Sequence, residues 1–373
     1  MKKYLLSSFA LLFAVVMVLQ SCGTPKTVAA TPTEPLEATP SEYAAAKLPI
    51  WANAKDSARI AFYNVENLFD TLDAPDIDDS EFLPNSKSMW TRVRYEAKLK
   101  QIAKVVDSLG FPSIMGMVEV ENRRVLDDLT IKTALKAQNY GVVHFESPDE
   151  RGIDCALIYK KADFQVKNAK PHKIVFPNND PDRTRDILEV SGILRGTAVT
   201  VFVNHWPSRS GGAEESAPKR IFVAQVLKRA VDSVMKTDAN ARIVIMGDLN
   251  DDPSDKSLTE GLEAKQWDRN TSNELIVNGL YNLASGVKRD GLGSYYYQKN
   301  WEVIDQIIVS GNLLAENSTL VTQDQESIFK EDFITYLEKK SGLRLPNRTY
   351  TGPIYRGGFS DHFPVYVSVF LKK

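Results

Sequence analysis

Arg242-Ile243-Val244-Ile245-Met246-Gly247-Asp248-Leu249-Asn250 is a short β-branched run that stops at a carboxylate and an amide. An apolar stretch of this length reads as a buried strand, and its polar end places Asp248 and Asn250 at the rim of a sheet. The same arrangement recurs outward in both directions. A run at 59–63 is followed by Asn64 and Glu66, one at 113–118 by Glu119, and one at 199–204 by His205, while Asp361 and His362 precede a run at 365–370. Further strand-like runs lie at 140–145, 155–159, 187–194 and 303–309. Segments 95–109 and 218–235 carry apolar residues at helical spacing, and 123–137 reads as a third helix. Helices packed on β-sheets follow, with acidic, amide and imidazole groups gathered at strand ends. Carboxylates concentrated in this way repel one another unless a cation lies among them.

Of the 373 residues, 43% are hydrophobic and 25% charged, which excludes a disordered or collagen-like chain. Forty-six basic and 48 acidic residues leave a net charge of −2, so no cationic excess drives non-specific binding to nucleic acid, although a local positive groove is compatible with it. Two cysteines, Cys22 and Cys155, exclude a disulfide framework and a spaced-pair zinc site. Lys2 and Lys3 open a leader whose apolar run, 4–19, is short for a spanning helix and ends in Leu19-Gln20-Ser21-Cys22. That ending resembles the bacterial lipoprotein box. The resemblance implies cleavage after residue 21, lipid on Cys22 and attachment to the cell envelope, with the outer membrane facing the periplasm preferred over surface display. Residues 22–56, with Pro25, Pro32, Pro35 and Pro40, read as a flexible tether, and 57–373 as one domain.

Seven segments in order resemble the successive motifs of the endonuclease/exonuclease/phosphatase superfamily. They are Tyr63-Asn64-Val65-Glu66-Asn67, Val118-Glu119-Val120-Glu121-Asn122, Arg151-Gly152-Ile153-Asp154, Asn204-His205-Trp206-Pro207-Ser208, Gly247-Asp248-Leu249-Asn250, Ile304-Asp305-Gln306-Ile307 and Ser360-Asp361-His362-Phe363-Pro364. The resemblance implies an α/β (α+β) four-layer sandwich, with two mixed β-sheets face to face and helices outside. It also implies hydrolysis of a phosphate ester with a divalent metal. Glu119 is the leading metal ligand, with Asn64, Glu66 and Asp361 beside it, and an all-oxygen set suits Mg²⁺, with Mn²⁺ or Ca²⁺ as alternatives to zinc. By the same resemblance Asp248 orients or deprotonates water, Asn250 holds water or a phosphate oxygen, and His205 and His362 stabilise phosphoryl oxygens and supply a proton. Asp305 is expected to pair with His362 and Asp154 with His205.

Arg185, Arg209 and Tyr355 are candidate substrate contacts, since guanidinium groups bind phosphate bidentately and an aromatic ring stacks on a base or sugar. Competing motifs fail on spacing. Asp248-Leu249-Asn250-Asp251-Asp252-Pro253 has proline where a calcium loop turns on glycine, and Gly291-Leu292-Gly293 lacks the third glycine of a dinucleotide loop. Ser360-Asp361-His362 are adjacent residues and cannot align as one hydrolase relay. A monomeric endonuclease acting on nucleic acid is the leading expectation. Hydrolysis of lipid or small phosphate esters and a non-catalytic lipid-anchored binding protein are the alternatives.

Overall fold

Alternating apolar residues with β-branched or aromatic side chains put two faces on each strand, and both faces of the central strands here are apolar. The computed structural model describes residues 56–74, 77–178, 180–269 and 275–372. The leader, Cys22 and the tether up to residue 55 lie outside the described residues.

The strands in chain order begin with β1 (Asp56–Leu68), β2 (Ile114–Val120), β3 (Tyr140–His144), β4 (Asp154–Lys160) and β5 (Phe164–His172). Then follow β6 (Ile187–Leu194), β7 (Thr197–His205), β8 (Ile243–Asp248), β9 (Ala264–Gln266) and β10 (Leu280–Asn282). β11 (Tyr295–Tyr297) and β12 (Asn300–Glu302) form a hairpin before β13 (Asp305–Ser310), β14 (Leu320–Thr322) and β15 (Ser327–Ile328). Two small hairpins, β16 (Thr335–Leu337) with β17 (Arg344–Pro346) and β18 (Tyr350–Thr351) with β19 (Ile354–Tyr355), precede β20 (Val365–Leu371). The α-helices are α1 (Arg92–Ser108), α2 (Arg123–Lys132), α3 (Ala213–Thr237) and the short α4 (Ser285–Arg289).

One sheet runs β14-β20-β1-β2-β4-β3, with β15 also on β20, and the other runs β5-β6-β7-β8-β13-β10-β9. Both are mixed: β1 and β2 are parallel, as are β7 and β8, while β20 and β13 return antiparallel. Ile60, Phe62, Val118 and Leu157 of the first sheet meet Val201, Val203, Val244 and Met246 of the second in one buried cluster. The intervening residues face outward. Ala61, Tyr63, Met115 and Met117 pack on Leu99, Ile102 and Val106 of α1 and Val125 and Leu129 of α2. Phe202, Ile243 and Ile245 pack on Val223, Leu227 and Val231 of α3. The layers are therefore helix, sheet, sheet, helix, as the motif resemblance implies. Each fully buried aliphatic side chain contributes roughly 1.5–3 kcal/mol.

Boundaries moved where tertiary contacts outweigh local pattern. α1 begins at Arg92 and α3 at Ala213, upstream of the expected starts, and Pro218 lies inside α3. The third helix stops at Lys132, because extended Thr133 (φ −114°, ψ −175°) caps a separate 3₁₀ turn, Ala134–Gln138. β5 was not expected. It is an edge strand whose outward residues are Lys, Asn and Gln, the composition that blunts edge pairing and hides a strand from an apolar pattern.

Candidate active site

The C-terminal ends of β1, β2, β7 and β8 open on one rim, and antiparallel β13 and β20 begin there. Asp248 is the register partner of His205 on β7 and of Asp305 on β13, so three of the expected residues are fixed by sheet pairing. Gly247 permits the approach of β7: a Cβ there would lie 2.4 Å from the carbonyl oxygen of Asn204.

The residues expected just after the first two strands lie within them, on bulges. Asn64 pairs with Val118 and Leu68 with Val120, so three residues of β1 oppose Glu119 alone. Glu66 and Asn67 (both φ 52°) and Glu119 (φ 62°) are left-handed, a conformation that costs non-glycine residues about 1–3 kcal/mol each. The bulges join the two strands' polar residues: Glu119 Oε2 accepts from the Asn67 amide at 3.0 Å, and Asn64 Nδ2 lies 3.4 Å from Glu119 Oε1. Asn64 Nδ2 also donates to Asp248 Oδ2 at 3.0 Å, linking the first sheet to the second.

Asp248 Oδ2 is the hub. It lies 3.7 Å from His205 Nε2 and 3.9 Å from His362 Nε2. His362 Nδ1 bonds Asp305 Oδ2 at 2.7 Å, and Ser294 Oγ donates to that same oxygen. Ser360 Oγ donates to the Asn64 carbonyl and accepts from the His362 amide, so the serine anchors the loop.

The two histidines are driven in opposite directions. Burial pushes His205 well below its ordinary pKa, and the positive charges of Arg185, Arg151 and His362 add to this. Burial opposes the charge on His362 too, but Asp305, Asp361 and Asp248 outweigh it and hold that imidazole well above its ordinary value. A neutral imidazole therefore faces an imidazolium across Asp248, a separation that assigns acceptor and donor roles. Burial, reinforced by Asp305 and Glu119 and opposed by His362 and Asn64, pushes the Asp248 carboxyl up to about 7.

The metal candidates divide into two groups. Glu119 and Asn64 lie together at the bulge, with Asp248 beyond them. Glu66 and Asp361 are bridged by Arg348, whose Nε lies 3.3 Å from Glu66 Oε1 and whose Nη2 lies 2.9 Å from Asp361 Oδ2. The Thr349 amide and, at 4.0 Å, Lys98 Nζ also attend Glu66, and Lys98 is buried. Glu119 and the Asn64 side chain, facing the Asp248 carboxyl, fit a hard divalent cation that takes one or two carboxylates and keeps several waters. Glu66 and Asp361 share the Arg348 guanidinium, and Glu66 also takes the Thr349 amide. Among the described residues, the sets of three or more acidic, His or Cys ligand atoms within 4.8 Å of one another are Asp248-Asp305-His362 and His144-Glu146-Asp154.

Four expectations about individual residues change. Asp154 does not pair with His205. It has the parity of Ala156 and Ile158 on the outer face of its sheet, and there it bonds His144 Nε2 at 2.9 Å and the Ser147 amide at 2.8 Å. His205 Nδ1 is left buried without a partner. Arg185 is buried behind the site, with Nη1 on Asp149 at 3.0 Å and Nη2 on the Trp206 carbonyl at 2.7 Å, so it braces the loop after His205. Arg209 bonds the Asn250 carbonyl and lies among Asp251, Asp255 and Glu302, which take up its charge. Tyr355 packs on Tyr350 and under Arg94 of α1, away from the histidines. Asn250 Nδ2 donates to the Trp206 carbonyl at 3.0 Å, leaving its side-chain oxygen for a ligand.

Sequence reading missed Lys98, Ser294, Arg348 and Glu326. Glu326 is buried: one oxygen accepts from the Ile307 amide of β13 at 2.6 Å, and the other has no partner. Burial and Asp305 push its carboxyl well above the usual range. The folded chain then keeps a proton that the unfolded chain loses near its ordinary value. This group's contribution is complete below about pH 4.5 and is lost at about 1.4 kcal/mol per unit as pH rises toward the folded pKa. Glu326→Gln keeps the acceptor and does not titrate, so its melting temperature relative to the native chain is expected to rise between pH 5 and pH 8. A difference that stays constant over that range would remove the claim that Glu326 is neutral.

Residues 59–372 match the Endonuclease/Exonuclease/phosphatase family, and the chain belongs to it. The class is one of phosphate-ester hydrolases. The fold is similar to the human Nocturnin catalytic domain, solved with bound sulfate (TM-score 0.51, 14% identity, covering 85% of this chain and 95% of that one). It is also similar to a mannosyl-6-phosphatase from Bacteroides thetaiotaomicron (0.52, 16%, 84% and 100%). A second protein of the family from that organism matches comparably (0.51, 15%, 85% and 96%). At these identities the likeness concerns the fold. No curated protein matches the sequence.

Proposed function

We propose that the protein is a divalent-metal-dependent phosphodiesterase that cuts nucleic acid internally, working as a monomer held at the cell envelope by lipid on Cys22. The observation that carries the reading is the buried pair of oppositely driven histidines across Asp248, one of them held by Asp305. Phosphodiester hydrolysis requires a base for water, donors for the phosphoryl oxygens and a proton for the leaving oxygen. Asp248 and neutral His205 offer acceptors to a water between them. His362, charged and oriented by Asp305, donates to a phosphoryl or leaving oxygen. A cation held by Glu119 and Asn64, Mg²⁺ by its oxygen donors, supplies neutralisation of phosphoryl charge. Arg151, whose Nη2 lies 3.7 Å from Glu119 Oε2 and donates to Asn67 Oδ1, is an exposed cation at the rim.

The test is plasmid nicking by the purified protein. Nicking is expected with Mg²⁺, to vanish with EDTA and to fall at least a hundredfold in His205→Ala. A second reading, a phosphatase for small phosphate esters, is favoured by a cavity of about 250 Å³ beside Glu66 and Asn67, lined by Phe82, Trp90 and Tyr350. That volume suits a single sugar or base. Intact plasmid together with phosphate release from a sugar phosphate would select it and reject the endonuclease.

A further inference from the structure

The hairpin of β11 and β12 stands apart from the two large sheets and touches the site through a bridge between Tyr295 and His362. Its faces differ. Tyr296 and Trp301 pair across it, Trp301 stacks on Phe363 at 5.8 Å, and Lys330 lies over Trp301 at 4.6 Å, so this face is fixed to the body of the protein. The other face carries Tyr295 and Tyr297. Tyr295 stacks on the His362 ring (centroids 4.6 Å, planes 24° apart) and Tyr297 on Tyr295 (6.2 Å, 15°). Three near-parallel rings thus lead from the catalytic imidazole to solvent, and the outermost, Tyr297, is 51% exposed.

The turn that holds Tyr297 there is strained. Gln298 (φ 46°) and Lys299 (φ 69°) are both left-handed, where a two-residue hairpin turn ordinarily uses Asn-Gly or Gly-Gly. Backbone strain kept at the rim of a site motivates a functional reading of what the strained segment presents. It presents an open aromatic face and, from Lys299 to Asn300, exposed polar groups. A flat tyrosine face backed by two further rings is a platform for another flat ring, and base stacking on such faces tolerates any sequence.

We propose that Tyr297, supported by Tyr295 and His362, is the stacking face for a nucleobase beside the scissile phosphate, so that the enzyme selects base-bearing phosphodiesters over those without a base. The proposal rests on the phosphoesterase reading above. It is tested with a ten-nucleotide thymidine strand and the same strand made of abasic units, using the full-length protein with Mg²⁺. Tyr297→Ala is expected to lower kcat/KM for the thymidine strand about tenfold or more and to leave the abasic strand within twofold. Tyr297→Phe should match the native protein, because the ring and not the hydroxyl acts. Equal losses on both strands, or none, would overturn the proposal. Hydrolysis of 4-nitrophenyl phosphate with neither strand bound nor cut would overturn it and leave the phosphoesterase reading standing. If no ester is hydrolysed, that reading fails. Binding of the labelled strands by anisotropy then decides: a base-dependent loss in Tyr297→Ala supports the platform, and equal affinities for the two strands reject it.

Discussion

Asp305→Asn is expected to lower kcat for phosphodiester hydrolysis by roughly 10²–10⁴-fold, the range supplied by one oriented acid or base. Asp305 Oδ2 receives His362 Nδ1 and Ser294 Oγ together, so it fixes the ring and supplies the leading charge that keeps the imidazole protonated. An asparagine of the same shape retains an acceptor but not the charge. Burial then acts on His362 with less opposition, and the ring loses its proton at a lower pH. The native His362 is charged below its raised pKa and loses that charge only as pH climbs through it. In the variant the alkaline limb of the kcat profile should therefore move to lower pH as well as drop. A kcat within threefold of native, or an equal loss at all pH values, would show that the pair is structural. Substrate affinity should change little, because Asp305 has no exposed oxygen.

The ends of strands were the legible part of this site, since their polar residues interrupt apolar runs. Asp248 and His205 were found in that way, whereas Asp305 lies within the run 303–309 and was found only through the motif resemblance; sheet register explains why three distant segments meet. The bulges were not legible. Glu66, Asn67 and Glu119 adopt left-handed backbone only because neighbouring strands bind their amides and carboxylates, and no local residue preference announces that. The error over Asp154 has the same root: parity along β4 decides which layer a side chain enters, and a motif does not encode parity near a strand end. Arg185 and Arg209 looked like phosphate contacts because guanidinium groups suit phosphate equally well as they suit carboxylates, and here Asp149, Asp251 and Glu302 claim them. Lys98 was hidden in the middle of an amphipathic helix, where a lysine ordinarily marks the solvent face.

Lys98→Met is expected to destabilise the protein by roughly 3–5 kcal/mol, the cost of losing two hydrogen bonds from a buried charged donor. The melting temperature should fall on the order of 10 °C for a chain of this size. Lys98 Nζ donates to Thr349 Oγ1 and to the Phe359 carbonyl, each at 2.6 Å, and attends Glu66 at 4.0 Å, while the side chain is buried. It therefore ties α1 to both ends of the segment 349–359, which leads into Asp361 and His362, and to the bulge of β1. Burial lowers the ammonium pKa to about 8, against the pull of Glu66, Asp361 and Glu119. Between that value and its ordinary 10.5 the unfolded chain binds more protons than the folded one, so this group makes stability rise with pH across that window. Its desolvation cost is complete below pH 8 and is relieved above 10.5. Methionine fills the space without charge, so the deficit relative to the native chain should widen from pH 8 to pH 10 and be constant between pH 6 and pH 7.5. With Lys98 gone, Arg348 is the cation left on Glu66, its bridge to Asp361 weakens, and the variant should need more Mg²⁺ for half-maximal activity. Unchanged melting with an unchanged Mg²⁺ requirement would mean that the buried ammonium supports neither the fold nor the site.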